Sequence, residues 1–232
     1  MKPARTTSQL LERLDSEFSW RFQEITLLRK TIRQASGKSQ DALLRAAVPL
    51  LYAHWEGFIK AAAIQYSDFI CKLGVTYSDV KDSFAGLKAL GYVKQLHGIN
   101  RRIFTASEIL SALFGIAADK VNMQLRVHVA DIGNLNYDIF EQISKFLSLD
   151  SAGYAAKKQL IDESLLKQRN EIAHGEYLLI DADRFEDLSN EIISLMRMFK
   201  TDIQNAAVSK SYLRQAAISA QQVEVIGEAA AG

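Results

Sequence analysis

The stretch from Gln40 to Leu73 constrains this chain more than any other. At about 100° per residue, Leu43, Leu44, Val48, Leu51, Trp55, Phe58, Ile59, Ile64 and Phe69 fall around most of a helix's circumference. Such a helix must be covered on several sides, which places it at the centre of a bundle. Ser39 is its expected N-cap and Gly74 its expected stop. Pro49 predicts a kink or a break in its first third.

The cover has to come from the rest of the chain. Only 2 prolines and 12 glycines occur in 232 residues, so other long helices are expected. Leu10, Leu11, Leu14, Phe18, Phe22, Ile25, Leu28 and Ile32 keep three-and-four spacing and predict a helix over 7–35, ended by Gly37. Phe185, Leu188, Ile192, Leu195 and Phe199 form a second stripe, predicting a helix from 184 to about 206 with a reach to 217. Asp181 or Asp183 caps it, after the extended connector YLLID. Between these, Asn136 caps a helix over 137–148, and another runs over 155–174 with Gly175 as its left-handed stop. Residues 75–135 are choppier, with short helices near 78–90 and 106–117. Within them 120–131 partly alternate, as a short strand or extended loop would. The reading is all-α: one helical domain over 1–217 with an inserted middle region at 75–135, then a flexible tail over 218–232.

Charge and composition exclude several function classes. The net charge of +1 gives no global basic field for nonspecific DNA binding, so any nucleic-acid role needs a local patch. Cys71 is the single cysteine, which excludes a disulfide framework and a cysteine-rich zinc site. The four histidines, at 54, 97, 128 and 174, show no metal-ligand spacing, and no metal or cofactor is expected. No Walker loop, dinucleotide glycine motif, zincin or EF-hand pattern occurs. The first residues lack the apolar core of a signal peptide and no 18-residue apolar run exists, so a cytoplasmic chain without a membrane role is expected.

Residues 169–175 read RNEIAHG. As the last turns of a helix they put Asn170 and His174, four apart, on one face, and the long Arg169 side chain reaches the same edge. An arginine offers a planar fork of donors that suits phosphate. A histidine moves protons near neutral pH, and an asparagine holds a ring nitrogen or a phosphate oxygen. RNA cleavage without metal needs such a set: a base for the 2′-hydroxyl, an acid for the leaving 5′-oxygen, and a cation for the charged phosphorane. One histidine covers one proton transfer. A two-fold dimer would bring a second copy of the motif to supply the other.

Around this motif the chain resembles the HEPN superfamily, helical nuclease and nucleotide-binding domains of toxin–antitoxin and phage-defence loci. Their signature is an arginine and a histidine separated by four to six residues at a helix end, with a polar residue after the arginine; here these are Arg169, His174 and Asn170. The blocks LLYAHWEGFIKAA at 50–62, NLNYDIFEQI at 134–143 and IDESLLKQRNEIAHGE at 161–176 follow in the order one ribonuclease branch shows, spanning about 40–200. The resemblance implies a helical bundle, a homodimer with two motifs across a cleft, and metal-independent RNA cleavage with Arg169 and His174 as catalytic residues and Asn170 supporting them in the catalytic set. An antitoxin or another defence-locus protein is the implied further partner. One toxin branch carries a modifiable tyrosine two residues after the histidine; here Tyr177 comes one place later. The alternative is a non-catalytic member that binds nucleotide or RNA, or scaffolds a partner.

Other residues are candidates for support. Glu56 pairs either with Lys60 or, across the bundle, with Arg169, and Glu171 lies inside the motif. Arg101 and Arg102, with Lys94 and His97, form a small basic cluster for a phosphate backbone. Arg126 and His128 could line a groove, and Tyr177 could stack on a base. Asn134 flanks a turn and reads as a cap, Trp55 as core, and Cys71 as a buried small apolar residue.

Overall fold

In the computed structural model, residues 2–91, 111 and 114–214 are described. The basic cluster Lys94, His97, Arg101 and Arg102, most of the helix expected over 106–117, and the tail over 218–232 lie outside them. Helix α1 spans Thr7–Gln34 and α2 spans Gly37–Lys72. The two residues between them force the helices to run antiparallel. Helix α6, Ala182–Val208, packs against both. Among the described residues there is no strand, only two isolated bridges, Thr76 with Lys120 and Val80 with Leu213. The fold is all-α, as the apolar patterning predicts.

Helix α2 is central because of its sequence. Leu44, Leu51, Trp55, Phe58, Ile59, Tyr66 and Phe69 are all buried, and the helix packs against both α1 and α6. Phe140 of α4, Tyr137–Phe146, is the point where three helices meet. Its ring lies 5.3 Å from Trp55 of α2, 5.6 Å from Phe199 of α6 and 4.9 Å from Tyr154. Truncating such a residue removes on the order of 3–5 kcal/mol. Trp55 is therefore core, as expected.

Several boundaries differ from the sequence expectation. Helix α2 starts at Gly37, which takes the left-handed region at φ +57°, and its N-cap is Ser36 rather than Ser39. It continues through Pro49 without a break. Pro49 removes one backbone donor, but packing on several faces holds the helix together. The last helix ends at Val208 instead of reaching 217, and Asp181 is its cap, accepting from Arg184 N at 2.8 Å. Residues Leu125–Ala130 form a short helix, α3, where partial alternation suggested a short strand or extended loop. Leu125 and Val129, four apart, are buried while Val127 between them is exposed, so the helical period won. Arg126 reaches toward Asp68 at 3.9 Å, and His128 lines a small cleft with Lys88 and Asn122. Cys71 is half-buried; its Sγ accepts from Met123 N at 3.5 Å, and burial pushes the thiol pKa up.

The helix expected over 155–174 is not uniform. A 3-10 turn covers Ala152–Lys157, a π-helix covers Leu160–Lys167, and the α-helix α5 covers Gln168–Ala173. A π-turn bonds each residue to the fifth along rather than the fourth. It therefore changes the direction in which the following residues leave the axis. Residues 169–174 follow it directly.

Candidate functional site

The motif ends in a fully formed Schellman stop. Gly175 sits at φ +84°, its N–H bonds Ile172 O at 3.0 Å, and Glu176 N–H bonds Glu171 O at 2.9 Å. A side chain at Gly175 would strain this turn. His174, the C-cap, is exposed, and its side chain makes no hydrogen bond among the described residues.

Arg169 and Asn170 are brought together. Arg169 Nη1 donates to Asn170 Oδ1 at 2.8 Å and to Asn134 Oδ1 at 3.2 Å. The guanidinium carbon lies 5.0 Å from the centre of the Tyr52 ring on α2, within cation–π range. No carboxylate lies within 4 Å of it among the described residues, and Nε and Nη2 make no hydrogen bond to them. The half-buried cation is thus held by two neutral amide oxygens and a ring. Its charge is not cancelled, and donors remain for an incoming anion.

Asn134 is therefore a partner of Arg169, not a cap; Asn136 is the cap, accepting from Ile139 N at 2.9 Å. The turn that carries Asn134 is fixed on both sides. Leu135 N–H donates to Tyr52 Oη at 2.6 Å, and Tyr137 N–H donates to Asp162 Oδ1 in the π-helix at 2.7 Å. Tyr52 is 2% exposed. Burial, and then a hydrogen bond to Glu56, push its phenol pKa up, so it stays protonated.

Glu56 does not pair directly with Arg169. It forms an ion pair with Lys60, whose Nζ also donates to Ile132 O at 3.1 Å. Its link to the arginine runs through Tyr52, because both lie on the α2 face turned to α5. Glu171 contributes its backbone to the helix stop, and its side chain lines a separate cleft of about 550 Å³ between the π-helix and α6. Tyr177 does not pack into the core. It is 67% exposed, with the Arg45 guanidinium 5.1 Å from its ring centre. Tyr52 and Arg45 escape a sequence reading, because each takes its place from a contact far away in the chain. The signal was their spacing with Glu56 along one face of α2.

A second arginine–histidine group lies elsewhere on α1 and α2. Arg21 is 7% exposed, pairs with Glu17, donates to Glu17 O at 2.8 Å, and lies 4.2 Å from the Trp20 ring. His54 is 3% exposed, with Nε2 3.3 Å from Glu24 Oε2 in poor hydrogen-bond alignment. Burial lowers its pKa, Glu24 opposes that, and Arg21 adds to it. Among the described residues no cluster of three or more His, Cys, Asp or Glu side chains is placed to hold a metal ion, and no helix is long and apolar enough to cross a membrane.

A comparison with protein families matches residues 10–212 to the HEPN_MAE_28990-like HEPN model. No curated protein and no solved structure matches the chain. With nearly its whole length matched and an all-α bundle that carries the arginine–histidine motif at a helix end, the chain belongs to the HEPN_MAE_28990-like HEPN family.

Proposed function

We propose that this HEPN domain is a metal-independent endoribonuclease, working in the cytoplasm as a toxin or phage-defence effector. The observation that carries the reading is the state of Arg169: half-buried, held by Asn134, Asn170 and Tyr52, and uncancelled by any carboxylate among the described residues. A cation so placed, five residues before an exposed histidine, suits a phosphodiester in transit to a more highly charged phosphorane. The RNA 2′-oxygen attacks the adjacent phosphorus as a histidine takes its proton. The bond to the 5′-oxygen breaks as an acid protonates that oxygen. The products are a 2′,3′-cyclic phosphate and a 5′-hydroxyl.

His174 supplies one of these transfers, and the same histidine of a second copy supplies the other. His174 has no orienting side chain among the described residues, which supports a site completed across a homodimer. Tyr177 with Arg45 offers a ring and a cation for an unpaired base beside the phosphate. What restrains the activity in this reading is an antitoxin or another protein of the same locus.

The test compares wild type and His174→Ala on a mixed RNA pool with EDTA present. Cyclic-phosphate fragments from wild type, and about 100-fold fewer from the variant, are the expected result. Equal cleavage by both proteins would remove His174 from the chemistry. Cleavage abolished by EDTA would remove the metal-free mechanism. RNA bound but left intact by both would favour the binding role open to HEPN domains.

A further inference from the structure

We infer that Tyr52 and Asn134 are positioning residues for Arg169: a clamp that sets the guanidinium against the phosphate without taking its charge. This rests on the ribonuclease reading above. Tyr52 acts twice. Its ring lies 5.0 Å from the guanidinium carbon, and its hydroxyl accepts from Leu135 N–H at 2.6 Å. That second bond holds the turn whose Asn134 Oδ1 accepts from Arg169 Nη1 at 3.2 Å. The next anchor, Tyr137 N–H to Asp162 Oδ1 at 2.7 Å, ties the same turn to the π-helix that leads into the motif. The acceptor and the arginine are therefore referenced to a common frame although they stand 35 residues apart in the chain.

The chemical choice of partners matters as much as their position. An asparagine and a ring orient a guanidinium as a carboxylate would, but leave its positive charge to the substrate. Glu56 lies one helical turn further along α2 and is paired with Lys60. The carboxylate strengthens the phenol's proton instead of neutralising the arginine.

Three variants separate these roles. Asn134 is exposed, so Asn134→Ala leaves the core intact. It is expected to lower kcat for RNA cleavage about 10-fold with KM unchanged, since a misplaced cation is felt in the transition state. Asn134→Asp keeps an acceptor but adds a charge, and is expected to raise KM. Tyr52→Phe keeps the ring and loses the hydroxyl, and should lower kcat as Asn134→Ala does. In an Arg169→Ala background all three should be silent. Equal losses in that background, or no loss from Asn134→Ala, overturn the clamp. Arginine side-chain NMR reads the clamp without any activity: the Arg169 Nε–Hε signal should be ring-shifted in wild type and move toward the free-arginine position in Asn134→Ala. A free-arginine position in wild type overturns the clamp even if RNA is cleaved. A ring-shifted signal in a protein that cleaves no RNA supports the clamp and sinks only the nuclease reading.

Discussion

Two arginines in this molecule each lean on an aromatic ring and each have a histidine nearby, yet they do opposite things. Arg21 is sunk between Trp20 and Phe58 and is paired with Glu17; the adjacent His54 is buried. Arg169 rests on Tyr52 with amide oxygens for partners, and His174 stands exposed. Tyr52 and His54 are two residues apart on α2, and so about 200° apart round it. One face of the helix closes a charge in; the other holds a charge open. Residue types alone do not make a site. What distinguishes the two is whether the counter-charge is supplied by the chain or left for a ligand.

That contrast can be broken from either side. The largest effect on folding is expected from Arg21→Ala. It removes the ion pair to Glu17 and leaves a gap beside two rings, and should destabilise the fold by on the order of 3 kcal/mol. Urea unfolding would measure this, and RNA cleavage per folded molecule should be unchanged.

Asn170→Asp makes Arg169 resemble Arg21 by placing a carboxylate at its 2.8 Å acceptor. RNA affinity should fall about tenfold, and the logarithmic salt dependence should flatten by about one. Titration of a non-cleavable oligonucleotide at several salt concentrations reads both.

The buried histidine gives a smaller effect. Its folded pKa is lowered, chiefly by burial. The unfolded chain therefore takes up a proton below about pH 6.5 that the folded chain refuses. Stability should fall as pH drops from there toward the folded value, and His54→Phe should flatten the fall in melting temperature between pH 7 and 5.5. The smallest effect is expected at the helix stop: Gly175→Ala, at φ +84°, should destabilise by about 1 kcal/mol, seen as a slight drop in melting temperature.

The same contrast explains what could be read from the sequence. Helices α1, α2 and α6 were legible because burial repeats with the helical period, and Phe18, Trp55 and Phe199 report it directly. Gly175 was legible because a left-handed stop has a residue signature. The motif itself was visible as RNEIAHG, since its members are local. Its surroundings were not. The Asn134 contact spans 35 residues, and the asparagine's local context pointed to a cap instead. Tyr52 looked like one more residue of an apolar run. The π-turn over Leu160–Lys167 has no residue signature of its own: Ile161 and Leu165 are four apart and buried, as they would be in an ordinary helix. Contacts that cross between elements decide which groups stand against the Arg169 cation, and no local pattern encodes them.

The most direct test of the account puts the two arginines in one experiment. Single-turnover cleavage of an end-labelled RNA is followed for wild type, Arg169→Ala and Arg21→Ala, below the melting temperature of all three. The account predicts that Arg169→Ala loses about 100-fold or more in rate while melting like wild type, and that Arg21→Ala melts lower but cleaves at the wild-type rate. Wild-type cleavage by Arg169→Ala would contradict it.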